Sequence, residues 1–125
     1  MLIQNAVIVP DTKKIYKSWY RHDFVSFDVN GETYHIDGGN DYIKTNIPPN
    51  HPHIKWMCLY DTDDVRVVID MYVSKDEGGN NVLIKEMSIP EIEKVLERIK
   101  HPLVEEALRI LLSQKSSLLD MMIES

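Results

Sequence analysis

Three side chains have the types for acid–base chemistry on one surface: His22, His35 and Asp37. Imidazole titrates near neutral pH, and a carboxylate beside it can orient it as a general base or acid. The three flank Asn30-Gly31, which sits between two runs rich in Phe, Val, Tyr and Ile. Asn-Gly supplies the positive φ angles of a two-residue type I′ turn, so this segment is expected to be a β-hairpin. A two-residue loop fixes the register. Val29 then faces Glu32, Phe27 faces Tyr34, Ser26 faces His35, Val25 faces Ile36, Phe24 faces Asp37, and His22 lies opposite Gly39. Because side chains alternate along a strand, Val25, Phe27, Val29, Tyr34 and Ile36 form an apolar core face. His22, Phe24, Ser26, Asp28, Thr33, His35 and Asp37 share the polar face.

Ser26, His35 and Asp37 have the residue types of a nucleophile triad. A triad also needs a preorganised oxyanion site, and its members usually come from separate loops, so a solvated polar face is the favoured reading. His22, His35 and Asp37 stand as catalytic candidates. Asp23, Asp37, Gly38, Gly39, Asp41 and Tyr42 form a second candidate group, for ligand binding. Its two glycines let the backbone approach closely or take positive φ, and its oxygens could contact a ligand. The segment is neither a twelve-residue calcium loop nor a phosphate loop, and a plain turn is the competing reading. His51-Pro52-His53 has two imidazoles on one side of an extended chain, but no spaced Cys/His pair completes a zinc set. No metal and no cofactor is expected.

The elements that must position these groups read as follows. Residues 1–10 and 15–20 form a first hairpin, and residues 22–37 the second. Pro48-Pro49-Asn50-His51-Pro52 is a stiff polar link that cannot be an interior strand. Residues 54–60, 65–75 and 82–87 read as a three-stranded antiparallel meander within residues 53–87, with Val65, Val67, Ile69, Met71 and Val73 alternating on one side. The period then changes. Ser88 and Glu91 have capping-box spacing, and Ile92, Val95, Leu96 and Ile99 recur helically. His101-Pro102 marks a break. Leu103, Val104, Ala107, Leu108, Leu111 and Leu112 give a second helix, to about Gln114. Leu118, Leu119, Met121, Met122 and Ile123 extend it as packing against the sheet or as a contact with a partner. The expected fold is α+β: an antiparallel β-sheet of several hairpins (a meander) with one or two C-terminal α-helices packed on it. It forms one domain over 1–125, with 1–47 as the hairpin region and 88–123 as the helices. The expected core includes Val25, Phe27, Tyr34, Ile36, Val67, Ile69, Met71 and Ile84 from the strands. From the helices it includes Ile92, Val95, Leu96, Leu108 and Leu111.

Arg21-His22-Asp23-Phe24-Val25, followed by Asp37-Gly38-Gly39 and Tyr42, resembles a family of small bacterial and phage proteins. Its HDFV…DGGxxY signature belongs to a domain of unknown function. Asn5-Ala6 and Ser18 also match, and the resemblance covers residues 3–45. The family's four zinc-knuckle-like cysteines fall near Val9, Thr12, Ser26 and Asp28, so this chain lacks all four. The resemblance implies that His22, Asp23, Asp37, Gly38, Gly39 and Tyr42 form one unit, and it points to a phage or bacterial source.

The chain has 125 residues, 43% hydrophobic and 27% charged, with a formal net charge of -6. That balance disfavours broad contact with nucleic-acid phosphates, so nucleic acid is an unlikely partner. One cysteine, Cys58, permits no internal disulfide and fits a reducing compartment. No segment resembles a signal peptide or a membrane span, so a cytoplasmic protein without membrane contact is expected. For a phage-encoded chain that is the host cytoplasm. The function that fits is a small interaction protein, binding a host protein or self-associating as an oligomer through residues 103–123. The alternative is an enzyme or small-ligand binder using the His/Asp cluster on the hairpin's polar face.

Overall fold

A computed structural model describes residues 1–124. The chain forms two compact units, Met1–Thr62 and Asp63–Ser125. The fold is α+β, with antiparallel sheets built from hairpins and, among the described residues, three α-helices, of which the C-terminal one is long. Among the described residues, no helix is long and apolar enough to cross a membrane.

The first unit is all β. Strand β1 (Leu2–Val9) pairs with β2 (Lys14–Ser18), β6 (Lys55–Trp56) and β7 (Leu59–Tyr60), all antiparallel. A second sheet has the order β3 (Val25–Val29), β4 (Glu32–Asp37), β5 (Lys44–Thr45). The β3–β4 register is the one the Asn-Gly turn dictates: Val25 pairs with Ile36, Ser26 with His35, Phe27 with Tyr34 and Val29 with Glu32. Asn30 and Gly31 take φ of 53° and 83°, as a type I′ turn requires. Phe27, Val29 and Ile36 are buried with Val7, Val9, Ile47 and Ile54 in one core, and Val25 and Tyr34 pack half-buried at its margin. Tyr16 of β2 stacks on Phe27 with ring centres 4.3 Å apart. Ser26, Asp28 and Thr33 are exposed on the other face.

Because β5 is short, it covers only Ile36 and Asp37 of β4. The Asn46 side chain continues the pairing. Its amide oxygen accepts the His35 N–H at 2.9 Å, and its NH2 donates to the Thr33 carbonyl at 3.1 Å. The side-chain amide thus occupies an edge that would otherwise be open to pairing.

The second unit departs from the sequence reading. Residues 65–71 are not a strand: Val65–Met71 is helix α1, and only Val73–Lys75 is a strand, β8. β8 pairs with β9 (Asn81–Leu83) alone, and Ile84–Glu86 is a 3-10 turn. The expected three-stranded meander therefore does not form. The cause is a cap and an ambiguous period. Asp64 accepts the Arg66 N–H at 2.8 Å and starts the helix. Val65, Val68 and Tyr72 also fit helical spacing, and it is Val68 that is buried while Val67, assigned to the core, is exposed. Ile69 and Met71 are half-buried. Helix α2 (Ile89–Arg98) starts at Ser88 with the capping box in place, and ends before His101. Helix α3 (Pro102–Glu124) runs unbroken. Both α1 and α2 pack on α3. Ile92, Val95, Val104, Ala107, Leu108 and Leu111 are buried, and Leu96 is half-buried.

Candidate functional site

The site is where two loops of the first unit meet, residues 19–24 after β2 and residues 38–43 after β4. Buried polar side chains of the strands hold them. Ser18, at the end of β2 and fully buried, donates from Oγ to the Asp23 carbonyl at 2.7 Å and accepts the Gly39 N–H at 2.9 Å. Asn5, fully buried in β1, donates from Nδ2 to the carbonyls of Asp37 at 2.9 Å and Tyr42 at 3.5 Å. Each side chain replaces a strand partner that a loop backbone lacks. The two glycines are required by contact as well as by angle. Gly39 has φ +56°, and a β-carbon there would lie 2.4 Å from the Tyr20 carbonyl carbon. At Gly38, with φ +119°, a β-carbon would lie 1.9 Å from the Tyr42 carbonyl oxygen.

The side chains of His22, Tyr42 and Asp37 converge at the rim. The Tyr42 hydroxyl lies 2.9 Å from Nδ1 of His22 and 3.4 Å from Oδ2 of Asp37. Oδ1 of Asp37 is buried and has no hydrogen-bond partner among the described residues. Tyr42 has one proton to give. Oδ2 of Asp37 can only accept, whereas Nδ1 of His22 can donate or accept, so a proton directed at Asp37 is the arrangement that serves both contacts. The proton therefore goes to Asp37, and His22 donates from Nδ1–H to the tyrosine oxygen. Desolvation of the Tyr42 hydroxyl, then the Asp37 charge and the hydrogen bond to it, raise the tyrosine pKa. His22 itself has φ +65°, the left-handed region that few bulky residues adopt.

Of the catalytic candidates, His22 and Asp37 thus meet through Tyr42, while His35 stands apart. Its ring stacks on exposed Phe24 with centres 4.8 Å apart, and no hydrogen bond joins it to its cross-strand neighbour Ser26. Of the ligand-binding candidates, Asp23 is turned inward, accepting the Trp19 N–H at 2.8 Å through its carboxylate. The Asp41 side chain is exposed, and its N–H donates to the Gly38 carbonyl at 2.9 Å. Gly38 and Gly39 serve the loop crossing. A surface groove lies elsewhere, in the second unit, with a volume of about 410 Å³ lined by Lys75, Glu77, Glu91, Lys94 and Arg98 among others.

Among the described residues, no group of three or more His, Cys, Asp or Glu side chains is placed to hold a metal ion. His51 has both nitrogens engaged. Nδ1 accepts the His53 N–H at 3.0 Å and Nε2 lies 2.9 Å from the Tyr34 hydroxyl. His53 faces Asp11 at 3.1 Å. Cys58 is half-buried, burial pushes its thiol pKa up, and its Sγ lies 3.7 Å from Oδ1 of Asn5.

Asn5 and Ser18 are the residues that reasoning from the hairpin alone misses. The available signal was Gln4-Asn5 in the middle of an apolar strand, where a buried amide must find a partner. The chain matches no protein-family model, no curated protein and no solved structure.

Proposed function

We propose that this is a small interaction protein that self-associates through the C-terminal end of α3. One observation carries the reading. Leu118, Leu119, Met121, Met122 and Ile123 are 59%, 48%, 68%, 67% and 74% exposed, all within the last turns of one helix. They are not scattered. Val104, Leu108, Leu111, Lys115, Leu118 and Met122 follow one another at alternating spacings of four and three, the repeat of a helix–helix seam. Val104, Leu108 and Leu111 are buried. Lys115 ends the covered stretch by donating from Nζ to the carbonyls of Lys85, at 2.9 Å, and Met87. Beyond it the same seam continues in the open.

A contiguous apolar patch of this kind marks an association surface, and a second copy presents the same seam and can meet it about a two-fold axis. The single free cysteine and the acidic composition fit a cytoplasmic setting. The HDFV and DGG resemblance over residues 3–45 supports a bacterial or phage source. Size-exclusion chromatography with light scattering tests the reading. A mass near twice the 14.5 kDa of the chain is expected. A monomer at every concentration would overturn it.

A further inference from the structure

We propose that His22 is a reactive imidazole, whose Nε2 attacks activated acyl groups while Tyr42 and Asp37 hold Nδ1. This concerns a different surface from the α3 seam and does not depend on it. With Nδ1–H donated to the tyrosine oxygen at 2.9 Å, the lone pair of neutral His22 sits on Nε2. His22 is exposed, and its Nε2 has no hydrogen-bond partner among the described residues. The ring stands against Tyr42, held by the Nδ1 hydrogen bond with the two ring centres 6.0 Å apart. An oriented base with its far nitrogen tied through a hydroxyl to a carboxylate follows the general logic of an activated nucleophile.

The other histidines make the contrast sharp. His51 and His101 use Nδ1 as an acceptor, from the N–H of His53 at 3.0 Å and of Leu103 at 3.3 Å. Their neutral rings therefore carry the proton on Nε2. His35 is stacked on Phe24. His53, with Nδ1 3.1 Å from Asp11, has the polarity of His22, and it does so without Tyr42.

In the step itself, Nε2 forms a bond to the carbonyl carbon and the acyl–oxygen bond breaks. The leaving oxygen departs with the electron pair. The imidazolium charge is offset by Asp37 through Tyr42 until the Nδ1 proton passes to the leaving group by way of solvent. Water then hydrolyses the acyl-imidazole.

The probe is diethyl pyrocarbonate, with the rate at each histidine followed by peptide mass spectrometry at neutral pH. His22 and His53 should label ahead of His51 and His101. Tyr42→Phe should slow His22 severalfold and leave His53 unchanged, which mere exposure of His22 would not produce. If Tyr42→Phe alters His53 as well, Asp37→Asn keeps the side-chain shape and is read in the same way. Labelling of His22 no faster than His51 and His101, or a rate indifferent to the variant that preserves His53, would overturn the proposal.

Discussion

Gly39 lies so close to the backbone of Tyr20 that a β-carbon would sit 2.4 Å from the tyrosine's carbonyl carbon. This contact locks the two loops of the first unit against each other. The obstructing atoms are backbone, so they cannot rotate away, and φ of +56° adds strain for any other residue. Gly39→Ala should cost at least about 2 kcal/mol, the scale of a steric insertion into a packed site. A shift in the urea midpoint measures it. A midpoint equal to that of the unmodified chain would contradict the contact.

Ser18 is expected to matter more than Ser26, the residue that the triad pattern nominated. Ser18→Ala strips partners from the Asp23 carbonyl and the Gly39 N–H together. That should cost about 2–4 kcal/mol if both groups stay unsatisfied, whereas Ser26→Ala on the open face should stay within about 0.5 kcal/mol. Chemical denaturation of the two variants side by side checks this. Equal losses would mean that Ser18 is not the anchor.

Much of the first unit was legible because its deciding signal is local. Asn30-Gly31 sets a turn type, the turn sets the register, and the register assigns Phe27 and Ile36 to the core and Ser26 to solvent. The anchoring of the loops by Asn5 was not legible by the same route. Asn5 and Asp37 are far apart in sequence, and nothing in either neighbourhood says that they meet. The second unit failed at residues 65–71, where Val65, Val67 and Ile69 satisfy a period of two and Val65, Val68 and Tyr72 satisfy a helix. The Asp64 cap decided between them, and it reads as ordinary turn composition until its bond to the Arg66 N–H is seen. At the C-terminus, packing against the sheet was one of two expectations for Leu118, Leu119, Met121, Met122 and Ile123, yet these side chains are exposed.

Lys17 gives a pH dependence. It is 4% exposed, with Nζ 4.0 Å from the centre of the Trp19 ring, and burial lowers its pKa from 10.5 to about 7. Between those two values the unfolded chain binds a proton at this lysine that the folded chain does not. Lys17 therefore makes stability rise with pH across that window, and disfavours the fold below it. Thermal melts of the unmodified chain and of Lys17→Met isolate the effect. The variant should have the higher Tm at neutral pH, and the difference should shrink as pH rises towards 10.5. A difference that does not change with pH would contradict it.

The self-association account rests on the open end of the α3 seam, and Leu118 and Met122 are its central positions. Sedimentation velocity of the unmodified chain beside Leu118→Asp/Met122→Asp tests it most directly. Both side chains are exposed, at 59% and 67%, so the exchange leaves the buried positions Val104, Leu108 and Leu111 untouched. The account expects a concentration-dependent dimer for the unmodified chain and a well-folded monomer, with unchanged helical circular dichroism, for the double variant. Identical sedimentation of the two proteins, whether both monomeric or both associated, would contradict it.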